Sequence, residues 1–262
     1  MDLSKLESLF KTNDLNYQFI GLKQVDSTSA YLKRQAKIRL EPTFCITQLQ
    51  TDGYGQRQRQ WLSNEDSLTF SVLCRFSAPI HALEGLSQVI GLALTEVLAE
   101  ICHEKISIKW PNDLYLEAGK VAGLLIECVE FDESSCWLVI GVGINRSLMD
   151  FSKNSSKTPS YSVAYLPSFL EADVIRFLPD FISKIERLSL GFVTDKFKNY
   201  LENYQKYDYF DLDQRVIVYD TEQSISGCYK GLTQRGELLL ESDGELVTYR
   251  SGEISIRAMD DI

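Results

Sequence analysis

The stretch KWPNDLYLEAGKVAGLLIE runs from Lys109 to Glu127 and sets the terms for the rest of the chain. Lys, Trp, Pro, Asn and Asp in direct succession suit neither a packed strand nor a solvated loop. Proline removes a ladder donor and biases the residue before it toward extended backbone. Trp110 is therefore expected to be extended, and the short strand KISIKW to stop at Pro111. Asn112 and Asp113 then sit at a strand end, where an amide can bind ribose or phosphate and a carboxylate can hold Mg2+. LYLEAGK reads as a hairpin returning Lys120 toward Lys109, which brings two ammonium groups to one site. KVAGLLIECVEF continues as an apolar strand. A plain hairpin bounded by surface lysines is the bland alternative.

Upstream, MDLSKLESLFKTND is a short amphipathic helix and YQFIGLKQV (Tyr17–Val25) a strand. DSTSAYLKRQAK follows, where Ser27, Thr28 or Ser29 can cap a helix to about Lys37. TFCITQLQ (Thr43–Gln50) and SLTFSVLCRF (Ser67–Phe76) alternate as strands, on either side of the polar loop TDGYGQRQRQW (Thr51–Trp61). From Ile80 to Cys102 the apolar residues Leu83, Leu86, Ile90, Leu94, Val97 and Ile101 recur at helical spacing. Downstream of the opening stretch, CWLVIGVGIN is an apolar strand, Arg146–Ser160 a polar loop, and Ser168–Leu190 and Thr194–Tyr204 helices. From Arg215, five short strands divided by Gly, Asp and Gln turns form a small antiparallel barrel or sandwich. The expected fold class is α+β: a mixed β-sheet backed by helices over residues 1–210, with a small all-β domain over 211–262.

Composition narrows the function. Of 262 residues, 44% are hydrophobic and 24% charged, an ordinary globular profile. A net charge of −10 disfavours a general nucleic-acid role, and the C-terminal strands are no more basic than the rest. No apolar run is long enough to cross a membrane and no secretory leader is legible, so a cytoplasmic location is expected. Six scattered cysteines with no close pair read as buried reduced thiols. With only His81 and His103 present, a histidine-rich metal site and a Ser-His-Asp triad both lack candidates.

Against that acidic background, Arg57 and Arg59 form a positive island. Gly53 and Gly55 let backbone amides approach an anion, the arginines add forked hydrogen bonds, and Trp61 offers a face for a purine. An exposed loop with a core-facing tryptophan is the competing view. In VIGVGIN (Val139–Asn145) the glycines allow either a ligand or a neighbouring strand to come close. Ser27, Thr28 and Gln50 lie at strand ends where hydroxyl and amide groups can read a polar ring.

These pieces together resemble the biotin–protein ligases. The resemblance is carried by Asp26-Ser27-Thr28, by Gln50 with GYGQRQRQW (53–61), and by KWPNDLY with Lys120-Val-Ala-Gly123. Gly141-Val-Gly-Ile-Asn145 and Gly252-Glu-Ile-Ser-Ile-Arg257 complete it, in the family's order, over about residues 20–257. It implies a class II synthetase-like biotin–lipoate ligase catalytic domain followed by an SH3-like β-barrel. It implies that biotin and ATP give biotinyl-5′-AMP, and that the biotinyl group passes to a lysine of a biotin carboxyl carrier protein of acetyl-CoA carboxylase. By the same resemblance Lys120 contacts the biotin carboxyl and the phosphate, assisted by Arg57, Arg59 and Lys109, while Asp113 serves Mg2+ or orients a lysine. Ser27, Thr28 and Gln50 hold the ureido ring beside Gly53 and Gly55, and Gly123 and Leu124 hold the apolar part. Trp61 stacks on adenine, Asn112 and Asn145 meet phosphate or ribose, and Arg257 reaches back from the small domain.

The chain departs from the family's Gly-Arg-Gly-Arg-x-Gly-Arg loop by placing Tyr54, Gln56 and Gln58 where two arginines and a glycine are usual. The loop is expected to close through backbone amides, Arg57 and Arg59, and to hold the adenylate less tightly. Some relatives carry an N-terminal DNA-binding winged helix; the residues before Tyr17 leave room for one helix, so DNA binding is not expected. A homodimer is possible through edge-to-edge pairing of the GVGIN strand. The rivals are a lipoate or octanoate ligase and a non-catalytic biotin- or adenylate-binding protein.

Overall fold

Alternation in the first strands sorts their side chains onto two faces. Phe44, Ile46, Phe70 and Val72 go to one face, and Cys45 and Leu73 to the other. A computed structural model describes residues 1–147, 161–195, 197–219, 224–252 and 254–259. In it β1 (Gln18–Val25), β2 (Thr43–Gln50), β3 (Leu68–Phe76), β4 (Ser107–Lys109), β5 (Asp113–Leu116), β6 (Gly119–Phe131) and β7 (Cys136–Ile144) make one sheet. Its order is β1-β2-β3-β7-β6-β5-β4. Only β1 and β2 run parallel, because α2 (Thr28–Ala36) is the crossover between them. The sheet is mixed, as expected.

The first face carries α1 (Leu3–Thr12), α3 (Leu86–Cys102) and α4 (Glu171–Asp195). An aromatic row runs from Phe10 through Phe44 and Phe70 to Phe177 and Phe181, with ring centroids 4.5 to 6.2 Å apart. Helix α3 is buried nearly all round, lying between the sheet and α4. The helix expected from Ile80 is broken: Ile80–Leu83 is a separate 3-10 turn, and Gly85 adopts φ +81° before α3 begins. A left-handed residue cannot sit inside an α-helix, so the apolar stripe spans two elements. Helix α4 runs five residues past the expected Leu190. The second expected helix divides into a 3-10 turn, Phe197–Asn199, and α5 (Leu201–Lys206). Beyond Ser147 the polar loop expected over Arg146–Ser160 lies outside the described residues.

Beyond the linker, β8 (Arg215–Tyr219), β9 (Ser224–Leu232), β10 (Leu238–Ser242), β11 (Glu245–Tyr249) and β12 (Ser255–Ala258) form an antiparallel sheet ordered β11-β10-β9-β8-β12. Trp110 explains its own presence here. Its buried Nε1 donates to the Gly236 carbonyl at 3.0 Å, and Gln88 Nε2 donates to the same oxygen at 3.2 Å. The indole thus fastens the β9–β10 turn to the larger sheet; the Trp110–Pro111 peptide is cis. The linker pairs along β4, with Tyr209 N–H donating to Ile108 O at 3.1 Å. One expectation fails outright. The GVGIN strand is β7, which has β3 on one side and β6 on the other, so its ladder groups are taken and it cannot pair with a second copy.

Candidate active site

The other face of the sheet, left open beside α2, carries a cleft of about 750 Å³ between β5–β6, the 53–61 loop and the small sheet. Its central feature comes from one irregularity. Asp113 pairs with Gly123 and Leu114 with Ala122, but Tyr115 then pairs with Lys120, so Val121 is an extra residue in β6. Such a bulge reverses the side-chain parity beyond it. In a regular ladder Lys120 would face away from Asp113. Here it shares that face, with its Nζ 2.6 Å from Asp113 Oδ1 and only 12% of the side chain exposed. A Cβ on Gly123 would stand 3.1 Å from Lys120 Nζ and 3.2 Å from Asp113 Oδ1, so glycine leaves the space the pair occupies. Leu124 and Leu125 both line the cleft, and the Leu124 side chain also reaches α3, where a Cβ on Gly91 would lie 3.6 Å from its Cδ2.

The 53–61 loop is a tight hairpin. Tyr54 bridges to Gln60, Gly55 N–H donates to Arg59 O at 2.8 Å, and Trp61 N–H donates to Gly53 O at 2.9 Å. Gly53 is closed in by Gln50 and Trp61, whereas Gly55 is open. Arg57 and Gln58 at the tip both take left-handed backbone, and Arg57 Nε donates to Gly252 O of the small sheet's last turn at 3.1 Å. Trp61, the expected purine platform, lines the cleft. Its indole seats on β7, where a Cβ on Gly143 would lie 2.4 Å from the ring, and the Lys120 ammonium stands 5.4 Å from the ring centroid. Tyr161, which the sequence reading passed over, also lies under Lys120 at 5.2 Å. Gly141 likewise makes room for a protein group, since a Cβ there would meet Ser29 Oγ at 2.4 Å. These strand glycines hold side chains of the chain itself.

At the α2 end the cleft is polar. Ser27 caps α2, its Oγ accepting from Ala30 N–H at 3.3 Å. Thr28 donates to Gln50 Oε1 through both its N–H, at 2.8 Å, and its Oγ1, at 3.1 Å. Thr28 Oγ1 and Ser29 Oγ also lie 2.7 and 2.9 Å from Ser71 Oγ. Ser71 was missed because it is one polar residue inside an apolar strand; its alternation with Phe70 and Val72 was the available signal.

At the opposite end Lys109 sits among aromatic rings, its Nζ 4.9 Å from the Tyr115 and Tyr209 centroids and 5.6 Å from Phe210. Arg59 and Arg257 line the cleft, the latter with its guanidinium 5.4 Å from the Tyr219 ring. Asn112 and Asn145 both donate to backbone carbonyls, and Asn112 also lines the cleft. Asn112 Nδ2 donates to Leu124 O, tying the two strands together. Asn145 lies behind β6 and outside the cleft lining, its Nδ2 donating to Ala164 O at 3.2 Å and Lys120 O at 3.4 Å. It fixes the backbone that presents the lysine. The lining holds the cations Arg57, Arg59, Lys109, Lys120 and Arg257 against the carboxylates Asp113 and Glu117, an excess of three positive charges on a chain of net −10. That inversion suits anionic ligands. Among the described residues no three His, Cys, Asp or Glu side chains are gathered to hold a metal, and Asp113 Oδ1 is committed to Lys120.

A mixed sheet with a cationic cleft under a glycine hairpin, followed by a small antiparallel sheet, is the frame of one group of enzymes. Residues 21–145 match the Biotin/lipoate A/B protein ligase family and residues 211–257 the Biotin protein ligase C terminal domain; the chain belongs to this family. It is 31% identical over 238 residues to the bifunctional ligase/repressor BirA of Salmonella typhimurium, which covers 90% of this chain and 73% of that protein. It is 31% identical over 126 residues to the biotin–[acetyl-CoA-carboxylase] ligase of Paracoccus denitrificans, across 47% of this chain and 52% of that one. The solved structure of the biotin protein ligase from Aquifex aeolicus in complex with biotin and ATP superposes with a TM-score of 0.73 at 27% identity, covering 92% of this chain and 99% of that one. No described helix is long and apolar enough to cross a membrane.

Proposed function

We infer that this chain activates biotin with ATP as biotinyl-5′-AMP and transfers the biotinyl group to a lysine of a biotin carboxyl carrier domain. The observation that carries the chemistry is the Lys120 ammonium, held 2.6 Å from Asp113 by the β6 bulge inside a cationic cleft. In the first step a biotin carboxylate oxygen attacks the α-phosphorus, the bond to the pyrophosphate oxygen breaks and pyrophosphate leaves. Both reactants are anions, so the barrier contains their repulsion. Lys120 offsets it between them, Asp113 orients Lys120, and Arg57, Arg59, Lys109 and Arg257 offset the remaining phosphate charge. Asp113 is already paired, so Mg2+ would enter with the nucleotide's phosphates, where it supplies further charge neutralisation. In the second step the carrier amine attacks the acyl carbon, the bond to the AMP oxygen breaks, and the nitrogen loses a proton as the amide forms. No enzyme nucleophile is needed.

The polar end lined by Thr28, Ser29 and Gln50, with buried Ser71 behind them, supports biotin over lipoate, since a ureido ring supplies donors and an acceptor that a dithiolane lacks. We assign residues 1–210 to the catalytic domain and 211–262 to the β domain, and place the chain in the cytoplasm, where its thiols would stay reduced. Incubation with [α-32P]ATP, Mg2+ and either biotin or lipoate tests this. A biotin-dependent AMP adduct is expected. Stimulation by lipoate alone would establish the rival ligase, and no adduct with either would establish a binding protein.

A further inference from the structure

We propose that Tyr54, Glu127 and Lys33 form a clasp that positions the 53–61 hairpin over the cleft before any ligand binds, so that a neutral tyrosine supplies an anchor to the protein itself. Tyr54 Oη donates to Glu127 Oε2 at 2.8 Å. Lys33 Nζ lies 2.7 Å from Glu127 Oε1, and the same ammonium stands 5.1 Å from the Tyr54 ring centroid. Three elements meet at this point: Tyr54 is in the loop, Glu127 is on β6 and Lys33 is on α2. Glu127 shares the cleft face with Gly123 and Leu125, so the clasp closes on the sheet that carries Lys120.

The surroundings strengthen these bonds. The Glu127 and Lys33 side chains are 22% and 34% exposed, so solvent screens them less than a surface pair. Burial holds the Tyr54 phenol above its ordinary range, and its oxygen keeps the proton it donates. The loop is gripped elsewhere as well. Thr51 N–H and Asp52 N–H donate to Val25 O and Asp26 O at 3.0 and 2.8 Å, and Arg57 holds Gly252 O. Root, flank and tip are therefore all tied within the chain. Losing loop arginines removes contacts to an adenylate, and the clasp replaces part of that hold with a preformed closure. Tyr54 and Glu127 are then positioning residues that act through the hairpin.

The proposal rests on the ligase reading only for its consequence, so its test begins without ligand. Amide hydrogen exchange over residues 53–61 of the full chain is expected to be protected in the ligand-free protein. Tyr54→Phe keeps the ring and removes only the hydroxyl, and Glu127→Gln keeps an oxygen acceptor and removes the charge. Each is expected to speed exchange of the loop about fivefold, as loss of one charge-assisted bond in a partly exposed site would. Exchange elsewhere should stay unchanged. The double variant should be no faster than the faster single variant. A loop unprotected in the wild-type protein, a Tyr54→Phe variant indistinguishable from it, or strictly additive effects would each overturn the clasp. In the ligase reaction, the same variants should release biotinyl-5′-AMP about fivefold faster and raise the KM for ATP more than they lower kcat of pyrophosphate exchange. Equal changes in both constants would point to general damage. If no adenylate forms in any protein while the exchange result holds, the ligase reading fails and the clasp stands.

Discussion

Replacing Lys120 by methionine removes a charge and also unmasks one. The Lys120 ammonium is 2.6 Å from Asp113 Oδ1, and the Asp113 side chain is only 30% exposed. In the Lys120→Met variant the cleft loses its central cation, and an uncompensated carboxylate faces two anionic substrates. The lining's excess of positive charge falls from three to two. A unit charge about 4 Å from its partner is worth about 4 kcal/mol at an effective dielectric constant of about 20, which the open cleft reduces. Removing one preorganised donor to a developing anion costs roughly 3 kcal/mol, or 10²- to 10³-fold in rate. Biotin-dependent ATP–pyrophosphate exchange should therefore fall by about that factor, with Tm changed by only a few degrees. The companion variant Lys120→Met with Asp113→Asn separates the two effects. Once the unmasked carboxylate is neutralised, about tenfold of the lost rate should return. Exchange in Lys120→Met within threefold of wild type, or a double variant no better than the single one, would refute the reasoning.

Other perturbations test other parts of the site. Thr28→Val removes the hydroxyl shared between Gln50 and Ser71 and should raise the KM for biotin about tenfold, leaving the KM for ATP within twofold in the same exchange assay. Gly143→Ala places a Cβ 2.4 Å from the Trp61 ring, and overpacking of this kind costs about 1 to 3 kcal/mol. Calorimetry should show Tm lowered by several degrees, and an unchanged Tm would mean that the indole is not seated on β7. Asp208, in the linker, has its carboxyl pushed up to about 6 by burial, although the Tyr229 hydroxyl donating at 2.6 Å opposes the shift. The folded state therefore binds this proton more tightly than the unfolded chain. This contribution to stability is fully present below about pH 4 and is lost as pH rises through about 6. Asp208→Asn should raise stability at pH 7.5 by about 1 to 2 kcal/mol relative to its effect at pH 4, read by urea denaturation at both values.

The elements that carry the site were legible because their signals are local. Thr43–Gln50 is a strand, as read, and Ser27 caps α2. The hairpin that returns Lys120 was legible too, as a hairpin closes over a few residues. It was read as bringing Lys120 to Lys109, whereas the structure pairs it with Asp113. What the hairpin pattern did not contain was the extra residue at Val121, and without it the lysine would face the wrong side. The strand glycines were read as admitting either a ligand or a neighbouring strand, yet Trp61 and Ser29 fill the spaces at Gly143 and Gly141 from distant parts of the chain. Ser71 meets Ser29 across 42 residues and Glu127 meets Tyr54 across 73, separations over which no period in the sequence reports a contact.

By itself, then, the sequence determined the strand and helix content, the α+β class, the small all-β end and the cationic character of one cluster on an acidic chain. Periods of 2.0 and 3.6 residues and the sign of a charge are properties of neighbours along the backbone. The tertiary structure decided that β7 is an interior strand, that Asn112 and Asn145 brace backbone, and that a tyrosine in the loop grips a glutamate on β6. Those outcomes depend on strand order, register and packing between remote segments, where a one-residue slip inverts every side chain.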